Sequence, residues 1–199
     1  MLSLPLALAA QKPGIPSPEG YLLSSPAKVS HWQARLGVKK RPRVGVVWRG
    51  NPGHKNDFLR SIDGSTLISH LPPGFDYVCL QKDIRPEEQA ALAASSMRVV
   101  TDELHDMSDT AALCACMDVV VSVCSSVAHL AGALGRPTWI MLPHVADWRW
   151  LRERDDSPWY ASVRLFRQDE SCAWSPVLKR VEEALVEWRE CQSEDLATL

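Results

Sequence analysis

The sequence predicts an α/β protein: a Rossmann-like, doubly wound, mostly parallel six-stranded sheet with helices on both faces and an N-terminal arm. Three observations predict it. From Val44 onward, short β-branched apolar runs alternate with helical segments, the pattern of βαβ units. The run Val119–Val123 is apolar but for Ser122, as a strand covered on both faces must be. Helix punctuation falls between the runs, with Pro86 at a first helical position and Gly135-Arg136-Pro137 at a helix end.

Each element follows in order. Residues 11–30 hold Pro13, Pro16, Pro18 and Pro26 with little periodicity, and read as a linker or an arm over a surface. Residues 29–36 suit one or two helical turns, with Trp32 and Leu36 on one face. Residues 39–43 are a basic run without interleaved aromatics, a solvated lead-in to a strand. The first strand is 44–48, and Arg49-Gly50-Asn51-Pro52-Gly53 must be a loop. A helix is expected over 63–70, stopped by Pro72-Pro73-Gly74, and a second strand over 77–80. A helix from Pro86 to 94 carries Glu87 and Glu88 in its first turn, where the dipole favours acids; a short third strand covers 97–100.

Ser108 or Asp109 can cap the next helix, 110–117, whose nearly all-apolar surface predicts burial. The fourth strand ends at Cys124-Ser125-Ser126, where a short helix starts; the fifth strand is 138–142. From Trp139 onward lie six of the eight tryptophans, several in a long charged loop at 144–160. A sixth strand covers 163–166. Trp174, Leu178, Val181, Leu185 and Trp188 form one helical stripe that docks on the core, after a cap at Ser175 and a start at Pro176.

Composition narrows the function classes. The 199 residues are 46% hydrophobic and 23% charged, an ordinary soluble balance. A net charge of −2 gives no general attraction to nucleic acid or to anionic membrane. No run approaches the ~20 apolar residues of a membrane span. The opening MLSLPLALAA looks like a signal core, but it lacks a basic start and Pro5 interrupts it. Six cysteines show no CxxC pair and no zinc spacing, and point to a reducing, cytoplasmic setting. GxGxxG, GxxxxGK[ST] and GxSxG are all absent. No metal and no cofactor are implied.

The right-handed crossover rule favours the strand order 3-2-1-4-5-6, in which winding reverses between the first and fourth strands. Ligands bind at the carboxyl ends of strands at such a point. Those ends are Trp48-Arg49-Gly50-Asn51 and Cys124-Ser125-Ser126. The second is a helix start, where unpaired N–H groups and the dipole suit a phosphate. His129, in the first turn, is either a core histidine or faces the same spot. Arg60 can reach inward with a fork suited to phosphate oxygens. Gln81, Lys82 and residues 104–107, including Met107, make a wall for a ribose and base. Met107 could equally be core, and Trp148 and Trp150 either pack or stack on sugar. One rival chemistry remains: Cys124 at a helix start, near His129, as an activated thiolate.

Taken together, VGVVWRGNPGHKND, RSI, CLQK, DTAALCACMDVVVSVCSSVAHLAGALGRPTWIMLP, DWRW and DSPWY…RLFRQ resemble one group of bacterial proteins. These carry tetratricopeptide repeats followed by a region related to the lipopolysaccharide heptosyltransferases, glycosyltransferase family 9. The resemblance implies the GT-B fold, in which two Rossmann-like domains hold a nucleotide-sugar. It implies that residues 43–190 are the donor-binding domain alone, 1–42 an arm left from a partner domain, and 191–199 a disordered tail. The acidic base would then lie in the absent domain, and transfer would be inverting and metal-independent. A partner domain or self-association would cover the exposed face; the alternative is a non-catalytic nucleotide-binding or self-associating module. By the same resemblance Gly50 and Asn51 match the phosphate-contacting turn. Arg60 matches a basic residue for the diphosphate, with His129 a second stabiliser of the leaving group. Gln81 or Lys82 would lie near the ribose and Met107 near the base, while Ser125, Ser126 and His129 match the phosphate-binding helix start. The family has Asp where this chain has Cys124, and that Asp helps hold the donor sugar.

Overall fold

A computed structural model describes residues 20–197; the expectations for the opening arm at 1–19 and for residues 198–199 lie outside the described residues. Six parallel strands, β1 (Arg43–Val47), β2 (Asp76–Cys79), β3 (Arg98–Val99), β4 (Val119–Val123), β5 (Thr138–Leu142) and β6 (Val163–Arg167), form one sheet. Their order is β3-β2-β1-β4-β5-β6, as the crossover rule requires. Winding therefore reverses between β1 and β4, which pair in register from Val44 against Val119 to Val47 against Ser122.

The helices are α1 (Pro26–Leu36), α2 (Asp57–Arg60), α3 (Gly64–Ser69), α4 (Pro86–Ala94), α5 (Met107–Ala115), α6 (Ser126–Ala133) and α7 (Ser175–Ala197). Strand residues alternate between the two faces, so each face has its own core. Val44, Val46 and Trp48 face one side with Leu67, Leu92, Val177, Leu178, Val181 and Leu185. Val47, Val78, Leu80 and Val120 face the other with Trp32, Leu36 and Leu113. The stripe on α7 docks as its period requires. A third cluster joins Cys124 and Ala128 to Ile140, Leu142 and Trp150, and seats the long loop after β5 against the sheet.

Several boundaries differ from the sequence reading, each for a local reason. α1 begins at Pro26, inside the expected linker, because proline is tolerated at a first helical position. α5 begins at Met107 because Asp106, rather than Ser108 or Asp109, is the cap, accepting from both of those backbone N–H groups. Ser125 caps α6, and Gly135 past its end takes the expected left-handed conformation with φ 70°. Residues 191–197, expected as a tail, continue α7. No helix among the described residues is long and apolar enough to cross a membrane.

Candidate functional site

The loop after β1 turns sharply and folds back through the four-residue α2. Gly50 donates its N–H to Ser61 Oγ at 3.2 Å, and Ser61 donates to Asp57 Oδ2 at 2.9 Å. Asp57 Oδ1 accepts from Arg60 Nε at 2.9 Å. Arg60 also reaches across to donate to the Cys124 carbonyl at 3.0 Å. That single side chain ties the end of β1 to the end of β4. It uses two of the five N–H donors of its guanidinium in these bonds, and the side chain keeps 20% of its surface open. A Cβ on Gly50 would lie 2.5 Å from Arg60 Nη2 and 2.5 Å from Asp57 Oδ1, so only glycine lets the pair close over the turn.

On the β4 side, Ser125 is buried, with its hydroxyl 3.0 Å from Ser122 Oγ and accepting from the Ala128 N–H. Ser126, the first residue of α6, is exposed beside it. The start of this helix therefore stands open to solvent next to the Arg60 guanidinium, two positive features at one place. Asn51 is exposed and folds on itself, its side-chain oxygen accepting from Gly53.

Other expected contacts are corrected. Trp48 has no exposed surface; its indole donates to Glu88 Oε1 at 2.8 Å, so it packs rather than binds. Strand parity carries the signal, because Trp48 continues the inward positions Val44 and Val46. Gln81 is buried and accepts from the Arg49 N–H at 3.0 Å, which locks the loop after β1 to β2 and keeps it from a ribose. Lys82 stays exposed and donates to the His105 carbonyl at 3.4 Å, and Met107 is half exposed at the start of α5.

Cys124 is not an activated thiolate. Burial pushes its thiol up, and the sulfur accepts the Trp150 indole N–H at 3.1 Å. His129 is half-buried, stacked on Trp150 with ring centroids 4.9 Å apart, and its Nδ1 lies 3.0 Å from the Tyr160 hydroxyl. Burial first, then Arg149, lowers its pKa, which disfavours an imidazolium at this position. Among the described residues no cluster of His, Cys, Asp or Glu could hold a metal ion.

Sequence reasoning missed the supporting residues. Asp57 opens a four-residue helix too short for periodicity, and Ser61 is the residue that follows it. Glu88, read as a first-turn dipole partner, is 1% exposed and ion-paired with the buried Arg49. Burial lowers the Arg49 pKa, and the guanidinium is ion-paired with Glu88.

Fold and site thus define a doubly wound α/β domain with an anion-suited opening at its switch point. No protein-family model matches the chain. Protein FlbA of Caulobacter vibrioides is 33% identical over 181 residues, covering 85% of this chain but 29% of FlbA. Among solved structures, the ADP-heptose LPS heptosyltransferase II of E. coli superposes with a TM-score of 0.63 at 18% identity, over 91% of this chain and 57% of that one. A family 9 glycosyltransferase from Veillonella parvula gives a TM-score of 0.55 at 11% identity, over 76% of this chain and 44% of that one. The chain shares the fold of these transferases, the group its motifs resemble, and spans well under two thirds of each relative.

Two outcomes test the geometry. Gly50→Ala should leave the fold intact, since only side-chain ends must move, but displace Arg60 and weaken anion binding about tenfold, read by calorimetric titration of pyrophosphate. For His129 the depressed pKa fixes the sign: the unfolded chain takes up the proton first, so stability is full above the ordinary value of 6.5 and falls as pH drops through it. The loss of denaturant midpoint between pH 7 and about pH 5 should be smaller in His129→Phe than in the parent chain.

Proposed function

We propose that this chain is the nucleoside-diphosphate-sugar-binding half of a glycosyltransferase, cytoplasmic, inverting and metal-independent. One observation carries the reading: Arg60, oriented by Asp57 and anchored on the Cys124 carbonyl, stands beside the exposed start of α6. A diphosphate placed there meets a guanidinium fork and oriented backbone N–H groups together. The same groups would stabilise the charge that develops on a departing diphosphate, without a metal. Lys82 and Met107 supply the edge along which a ribose and base would lie. The attacking hydroxyl and its base would come from a second domain or partner, in line with transferase relatives that are longer than this chain.

A second reading, a nucleotide-binding module that no longer transfers, draws on Cys124. Its sulfur is buried and engaged by Trp150, so it offers no polar grip on a sugar where the related family has a carboxylate.

Backbone amide signals of Gly50 and Ser126 should shift saturably on titration with ADP, UDP or GDP at millimolar concentration, for one base more than the others. Absence of a shift with all three would sink both readings. Under the transferase reading a sugar conjugate binds more tightly than its bare diphosphate. Under the module reading the two bind alike, and Cys124→Asp tightens the conjugate alone.

A further inference from the structure

The segment between β5 and β6 is built too carefully for a connector. It contains two non-glycine residues in the left-handed region, Leu151 at φ 52° and Glu153 at φ 55°. The loop is pinned on several sides. Trp150 is fully buried and bonded to Cys124; Arg167 donates to the carbonyls of Trp150 and Arg154; Trp159 donates to the Arg149 carbonyl at 2.8 Å; and the Leu165 N–H donates to the Asp155 carbonyl at 2.6 Å. Backbone strain held this firmly aims side chains.

What it aims is the lining of a cavity of 730 Å³ that includes Asp147, Trp148, Arg152, Glu153, Arg154 and Asp156. Two positions from the buried Trp150, Trp148 leaves 50% of its surface open. Its ring is fixed edge-on by Trp159 at 89° and capped by Arg149 at 5.0 Å. The charges nearly cancel. Arg154 grips Asp156 through two bonds of 2.6 Å, and Arg149 grips Asp147 at 2.8 and 3.0 Å. Arg152 and Glu153 are exposed, one of each sign.

With charges of both signs close to balance, such a pocket has no strong field to draw a phosphate or a cation. It offers a half-exposed aromatic ring, whose negative face attracts polarised C–H groups on the side Arg149 leaves uncovered, with planar donors and acceptors in the same lining. A pyranose presents both: a C–H face and an edge of vicinal hydroxyls. We propose that this cavity is a saccharide-binding subsite that takes a neutral glycan, stacked on Trp148 and hydrogen-bonded by Glu153 and Arg152. The proposal does not depend on nucleotide binding at Arg60, because its ligand and its reporting residues are different.

The test follows the indole N–H signals of the chain while methyl α-glucoside, methyl α-mannoside, methyl β-galactoside and N-acetylglucosamine are each raised to decimolar concentration, with inorganic phosphate as the charged control. At least one sugar should shift the Trp148 and Trp159 signals saturably and leave Trp32 unmoved, while phosphate leaves all three in place. Trp148→Ala should abolish the Trp159 shift in a chain whose spectrum stays dispersed. Glu153→Gln, exposed and tolerant, should weaken the best sugar about fivefold. No saturable shift with any sugar, a Trp159 shift that survives Trp148→Ala, or a stronger response to phosphate would overturn the proposal.

Discussion

Everything at the carboxyl edge of this sheet hangs on Arg60. β1 and β4 are paired strands, but their following loops run to opposite faces and share no sequence neighbourhood. The guanidinium closes that gap by bonding Asp57 in one loop and the Cys124 carbonyl in the other. An ion pair this enclosed is weak evidence for stability, because the cost of desolvating both charges offsets their attraction. Its importance is positional: it holds a cation where the helix α6 begins. Gly50 makes the closure possible by having no side chain in the way.

Behind that surface a second polar layer is fully desolvated. Glu88 accepts from the Trp48 indole, from Arg49 and from the Arg85 backbone N–H, so the start of α4 is fastened to the end of β1. A buried pair of this kind is weak support for stability, but losing one partner leaves a buried charge uncompensated. Gln81 adds a third tie, from β2 to the same loop. The loop that carries Gly50 is thus held from below by Glu88 and Gln81 and from the side by Arg60. Its shape is set by the fold, so in the proposed function the ordering cost of binding would be small.

The strand order, the switch point and the Gly135 cap were legible because each rests on one strong local rule. Apolar β-branched runs mark buried strands, crossover handedness orders them, and glycine past a helix end takes the left-handed turn. The site was legible in part. Gly50, Arg60 and Ser126 meet the expectation of one place, since topology alone brings the ends of β1 and β4 together. Trp48 and Gln81 were misread, because closeness to a site in sequence was taken for access to it. Trp48 follows the parity of Val44 and Val46 into the core, and Gln81 satisfies a buried N–H that no local pattern announces. Asp57, in a helix of four residues, and Ser61, just past its end, leave no periodic trace. His129 depends on Trp150 and Tyr160, more than twenty residues away, so its stacked position is a tertiary fact.

In the proposed function Arg60 and the start of α6 hold a diphosphate between them. The most direct measurement is a crystal structure of the chain with a bound nucleoside diphosphate. Phosphate oxygens are expected within hydrogen-bond distance of both the Arg60 guanidinium and the Ser126 backbone N–H, with Asp57 still paired to Arg60. A nucleotide seated elsewhere, or phosphates that touch neither group, would contradict it.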